Sequence, residues 1–118
     1  MGGTNNELIP DVVTIVEGGS VNFIISGLHQ TAVYDDKKPE EVIVSSPLPG
    51  VGGGIINDAD KRVYQGIDPN LTTTSRDRVE VVHFAEPGVY LVICGVVNHF
   101  VNDKMYGYVR VIPARPKK

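Results

Sequence analysis

The sequence predicts an all-β protein, an antiparallel β-sandwich with an irregular insert in the middle of the chain. Three observations predict it. Short runs rich in Val, Ile, Thr and Tyr alternate with Gly, Pro, Asn and Asp, the pattern of strands separated by turns. No long stretch repeats apolar residues at helical spacing. The chain of 118 residues suits one domain and is long enough to bury a core without disulfide staples. The expected domain spans residues 1–118.

Residues 12–17 form the first expected strand, closed by the turn signal Gly18-Gly19. In residues 21–26, Val21, Phe23 and Ile25 share one face while Asn22 and Ser26 take the other. Gly27 interrupts, residues 30–34 resume an extended pattern, and residues 41–45 read as a short strand. Residues 46–54, dominated by Pro and Gly, read as an irregular loop. Residues 55–66 suggest a small hairpin turning at 57–61, and Asp68-Pro69-Asn70 suggests a helical turn, since Pro fits a first helical position. Residues 78–84 form a strand whose buried face the pattern leaves open. After the turn Glu86-Pro87-Gly88, residues 89–94 place Tyr90, Val92 and Cys94 on one face. In the last strand, residues 106–113, Gly107, Val109 and Val111 share a face with Met105, and Arg110 points away. Seven or eight short strands in all fit a sandwich. There are no internal repeats.

The net charge of −3 argues against nucleic acid, which calls for a basic stripe. The only basic cluster is the tail, residues 115–118. No apolar run approaches membrane-spanning length. No signal peptide is read at the start, and Met1-Gly2-Gly3 is consistent with an expression start in place of a removed export signal. A single cysteine excludes an intramolecular disulfide. Taken alone, it reads as a core thiol, a reactive thiol or a metal ligand.

The informative polar residues gather at strand ends. Cys94 ends one strand, His99 lies in the loop that follows, and Met105 starts the next strand, a Cys-x4-His-x5-Met spacing. His29 stands far upstream at the break between two strands. Two imidazoles, one thiolate and a weak thioether are the donor set of a mononuclear blue-copper site. One loop delivers three of these donors, and a neighbouring strand must supply the fourth. His83 faces away from Val82 and Phe84 and reads as structural or surface.

Three segments carry a family resemblance. Pro87-Gly88-Val89-Tyr90-Leu91-Val92-Ile93-Cys94 resembles the strand leading into the copper cysteine of plastocyanins and azurins. Met105-Tyr106-Gly107-Tyr108-Val109-Arg110-Val111 resembles their closing strand, and His29-Gln30-Thr31-Ala32-Val33-Tyr34-Asp35 their first-histidine segment. The similarity covers residues 10–34 and 78–113 and is to the cupredoxin family. Five residues separate His99 from Met105, where these families usually have three or four, and Gln30 stands where Asn is common.

The resemblance implies a Greek-key sandwich holding one copper ion, Cu(I)/Cu(II), through His29, Cys94, His99 and Met105, and acting as a one-electron carrier rather than an enzyme. It implies that Cys94, His29 and Met105 are mostly buried. His99 would be the electron port, in an apolar patch with Val96, Val97 and Phe100 where redox proteins dock. It also implies a Gln30 backbone N–H donating to the sulfur, and an exported, periplasmic bacterial location, with no nucleic acid or membrane partner. The alternatives are a copper carrier and a mononuclear copper site with an open, catalytic position. Three histidines cannot build a trinuclear cluster, and one cysteine cannot bridge a dinuclear centre. Asn57, Asp58 and Asp60 lack the remaining ligands of a calcium loop and read as a solvated turn. Asp35-Asp36-Lys37-Lys38 reads as a solvated loop tip, and Asn70-Leu71-Thr72 matches a glycosylation acceptor. The insert, residues 46–77, is expected to lie beside the sandwich.

Overall fold

The computed structural model describes residues 11–27, 29–50, 52–67 and 77–114. Along them run β1 (Val12–Val16), β2 (Ser20–Ile25), β3 (Thr31–Asp35), a 3-10 turn (Pro39–Glu41), β4 (Arg62–Tyr64), β5 (Arg78–His83), β6 (Gly88–Cys94), the short helix α1 (Val97–Val101) and β7 (Tyr106–Ile112). Five strands form a sheet in the order β1-β7-β6-β3-β4, and β2 pairs with β5 in a second. Every pairing is antiparallel except β1 with β7, which is parallel.

Side-chain alternation explains the two layers. In β2, Phe23 and Ile25 point inward while Asn22 and Ile24 face out, and in β5 Val82 points inward between the exposed Val79, Val81 and His83. These inward residues meet Val33, Tyr90, Val92, Cys94, Val109 and Val111 of the large sheet, and Met105 just ahead of β7, in the main core. The face of residues 78–84 that the sequence left open is thereby settled, with Glu80, Val82 and Phe84 buried.

From Tyr90 to Cys94, β6 is buried on both faces. Its Leu91 and Ile93 point away from the main core into a second cluster with Ala32, Tyr34, Val42, Ile56 and Phe100. The insert therefore does more than lie beside the sandwich, since its Ile56, with Val42 ahead of it, covers the outer face of the large sheet. At about 25 cal/mol per Å² of apolar surface removed from water, this second layer contributes materially to stability.

Several expectations for the middle of the chain are corrected. Residues 41–45 are not a strand. A 3-10 turn replaces its start, and Val42 is drawn into the second cluster. Residues 55–66 are not a hairpin. Ile55 bridges Leu48 and Val96 instead, and β4 pairs with β3. Lys37 and Asp58 are not solvated. They form a buried ion pair at 2.7 Å, and Asp58 also accepts the amides of Ile43 and Asp60. The Tyr34 hydroxyl donates to the Asp58 carbonyl at 2.7 Å. The expected helical turn at 68–70 and the Asn70 acceptor lie outside the described residues.

Candidate metal centre

Strand register brings distant residues to one end of the large sheet. β3 runs antiparallel to β6 with Thr31 opposite Cys94, and β7 runs antiparallel to β6 with Tyr106 opposite Ile93. Residues just before β3 and β7 therefore flank the residue that ends β6. These are His29 and Met105. The Cys94 amide donates to the Met105 carbonyl at 3.0 Å, and the Gly95 amide donates to the Gln30 carbonyl. The chain then turns through α1, which carries His99 in its third position. The Met105 amide returns to the His99 carbonyl at 3.1 Å. The loop expected between Cys94 and Met105 is thus partly helical.

The sulfur of Cys94 lies 3.7 Å from Nδ1 of His29 and 3.6 Å from Nδ1 of His99, and the three donor atoms all fall within 4.8 Å of one another. The two rings are tilted by 56° with centroids 5.1 Å apart. A thiol has one proton and cannot donate to both imidazoles. Metal–nitrogen bonds of about 2.0–2.1 Å and a metal–sulfur bond of about 2.3 Å, meeting at tetrahedral to trigonal angles, separate nitrogen and sulfur by roughly 3.6–3.8 Å. The spacing fits three donors aimed at one ion.

Burial sets the protonation of the group. Cys94 and Met105 are 0% exposed, His29 is 3% exposed, and His99 is half-buried. Burial, with repulsion from His99 and Arg78, pushes His29 down to about 4, against an opposing hydrogen bond to the Ser26 backbone. Burial also lowers His99, opposed by the Asp103 carboxylate. Both rings are therefore neutral near pH 7, the form that binds metals. Burial pushes the Cys94 thiol up, opposed by backbone hydrogen bonds from Gln30 and Val96.

Further hydrogen bonds fix the segment that carries His29. The Arg78 guanidinium donates to the His29 carbonyl at 2.7 Å and to buried Glu80 at 2.8 Å, and Glu80 also accepts from the Tyr64 hydroxyl. The sequence reading missed all three, although an acidic residue sharing the buried parity of Val82 and Phe84 was the available signal. The Gln30 side chain donates to the carbonyls of Gln65 and Ile67 at 2.8 and 2.7 Å, tying the exit of β4 to the His29 segment.

The structure gathers His29, Cys94 and His99 and buries Met105 in the same core cluster as Cys94. His83 stays apart and exposed, 3.4 Å from the Ser20 hydroxyl. The expected apolar patch is corrected in part. Val96 is 0% and Phe100 8% exposed, because Val96 is bridged to Ile55 and joins the main core while Phe100 packs edge-on against Tyr106. No helix among the described residues is long and apolar enough to cross a membrane.

No protein-family model and no curated protein matches the chain. Solved structures do. A dithionite-reduced auracyanin from the photosynthetic bacterium Roseiflexus castenholzii superposes with a TM-score of 0.57 at 17% identity, over 92% of this chain and 90% of that one. An auracyanin B superposes with a TM-score of 0.61 at 15% identity, over 92% of this chain and 81% of that one. Two facing sheets, with a Cys and two His converging at one end of the larger, thus share the chain path of the auracyanins, and this chain has the cupredoxin fold.

Proposed function

We propose that this chain is a one-electron carrier that would bind a single copper ion of the blue type through His29, Cys94 and His99, with the Met105 thioether as a weaker fourth donor. The observation that carries the reading is the placement of the Cys94 sulfur 3.7 and 3.6 Å from the two facing Nδ1 atoms. Structural zinc closes a tetrahedron of four strong donors. Here the buried residue beside Cys94 is a thioether, the soft weak donor that accompanies His2Cys copper. Copper bound there supplies a one-electron couple between Cu(I) and Cu(II).

The chain's own residues do the rest. Three strand ends hold His29, Cys94 and Met105 in the buried interior, where close packing restricts side-chain motion. Small rearrangement favours fast electron exchange. His99 is the half-buried member and serves as the port to redox proteins, which dock on the surface around it. The neighbour captured in a dithionite-reduced form supports redox chemistry on this fold. The chain works as one domain, without enzymatic turnover, in an exported, periplasmic setting.

The test is to add Cu(II) to the purified metal-free protein and record visible absorption and electron spin resonance spectra. A strong sulfur-to-copper band, lost in Cys94→Ser, is expected. A weak, colourless copper signal indifferent to that substitution would leave the fold and remove the function. Ready extraction by chelators would point to a copper carrier, and a spectrum altered by azide to an open coordination position.

A further inference from the structure

We infer that Gly52 and Gly54 of the insert are positioning residues for His99, acting as a backbone cap on the helix that carries it. The inference deepens the copper reading and rests on it for its redox consequence, but the cap itself is a property of the metal-free chain.

A helix begins with amide donors that have no partner within the helix, and a Ser, Thr, Asn or Asp side chain at the N-cap normally accepts one. The N-cap of α1 is Val96, which has no such group and makes no side-chain cap. The amides are satisfied from elsewhere in the chain. Val97 donates to the Gly54 carbonyl and Asn98 to the Gly52 carbonyl, each at 2.9 Å, while Ile56 donates to the Gly95 carbonyl at 2.7 Å. A five-residue helix has almost no stability of its own. Its geometry, and with it the direction of His99, comes from these bonds at one end and from the bond of Met105 to the His99 carbonyl at the other.

The approach is possible only for glycine. Gly52, Gly53 and Gly54 have φ of +68°, +87° and +100°, a backbone region that side chains rarely occupy. A Cβ on Gly52 would meet Val96 Cγ1 at 2.5 Å, and one on Gly54 would meet the Leu48 carbonyl at 2.6 Å. Either substitution therefore pushes the carbonyls off the α1 amides. Gly18 is a matched control. Its φ is +86°, and an added Cβ there meets nothing within 4 Å, so Gly18→Ala has comparable backbone strain without touching the cap.

The experiment measures amide hydrogen exchange at Val97 and Asn98 in the metal-free protein, and then the visible spectrum and reduction potential of the copper-loaded protein. Wild-type protection at both amides is expected. In Gly52→Ala and Gly54→Ala, exchange there should be about tenfold faster, the order of one lost backbone hydrogen bond, with a changed sulfur-to-copper spectrum and a shifted potential. Gly18→Ala should lower thermal stability and leave both amides and the spectrum as in wild type. Unprotected Val97 and Asn98 amides in the wild-type protein would overturn the cap without any variant. So would wild-type exchange and spectra in both insert variants, or an equal spectral change in Gly18→Ala. Absence of a sulfur-to-copper band in the wild type would remove the copper reading alone, because the exchange data still decide the cap.

Discussion

Cys94 is held between opposing demands. Burial keeps its thiol protonated near neutrality, while the backbone hydrogen bonds from Gln30 and Val96 and two neutral imidazoles await a thiolate. Metal binding must therefore expel a proton. Because His29 titrates at about 4 and His99 is also lowered, the imidazoles contribute none at pH 7. Calorimetry of Cu(II) binding in buffers of different protonation enthalpy should show about one proton released, and apparent affinity should rise as pH increases toward the thiol's raised pKa. Release of two or more would mean that an imidazole is charged in the metal-free chain. Met105 offers a second test. Met105→Leu conserves volume at a fully buried site and should cost less than about 1.5 kcal/mol. If the thioether binds, its loss destabilises the more highly charged oxidised ion, and voltammetry should record a higher reduction potential. An unchanged potential would make Met105 a core residue only.

Among local elements, the ion pair Lys37–Asp58 fastens the insert to β3. Asp58 accepts from Lys37 and two amides, its own carbonyl takes the Tyr34 hydroxyl, and the Lys37 ammonium sits 5.1 Å above the Tyr34 ring. Lys37→Met leaves a buried carboxylate without its counter-ion, and denaturant unfolding should show a loss of about 3–5 kcal/mol. Adding Asp58→Asn to that variant should restore part of it. Burial alone would raise Asp58, but the hydrogen bonds from Lys37, Ile43 and Asp60 outweigh it and hold the carboxyl below its ordinary value of 3.8. A lowered folded pKa stabilises the fold above 3.8 and is lost as pH falls through the folded value. Acid unfolding of wild type should accordingly steepen below about pH 4, and Asp58→Asn should flatten that part of the curve.

For the whole molecule, two cores share β6. One lies between the sheets and contains Cys94 and Met105, and the other covers the outer face of the large sheet and contains Phe100 of the helix that carries His99. A substitution at Phe100 therefore tests the fold rather than a docking surface. Phe100→Ala should cost about 3–5 kcal/mol and disturb the copper spectrum through α1. Val101, on the same helix but 45% exposed, is the better probe of docking. Val101→Glu should slow electron exchange with a partner protein in stopped-flow measurements and leave the spectrum intact. A changed spectrum would show that Val101 supports the site instead.

By itself the sequence determined the β architecture and the candidate ligands, because both are written in short-range pattern. Period-2 alternation marks β2 and β7, a continuous apolar run marks β6, and the donor types at residues 94, 99 and 105 fall within one connection between adjacent strands. His29 was legible from its place at a strand break, and antiparallel pairing of β3 with β6 brings that break to Cys94. Only the tertiary structure decided how the insert is used. The pairing of Lys37 with Asp58, the tie of Arg78 to the His29 carbonyl, the burial of Val96 and Phe100, and the capping of α1 by Gly52 and Gly54 each join polar or apolar groups from separate segments. No local periodicity encodes such partners. A buried polar group must be satisfied, but which distant atom satisfies it depends on the path of the folded chain.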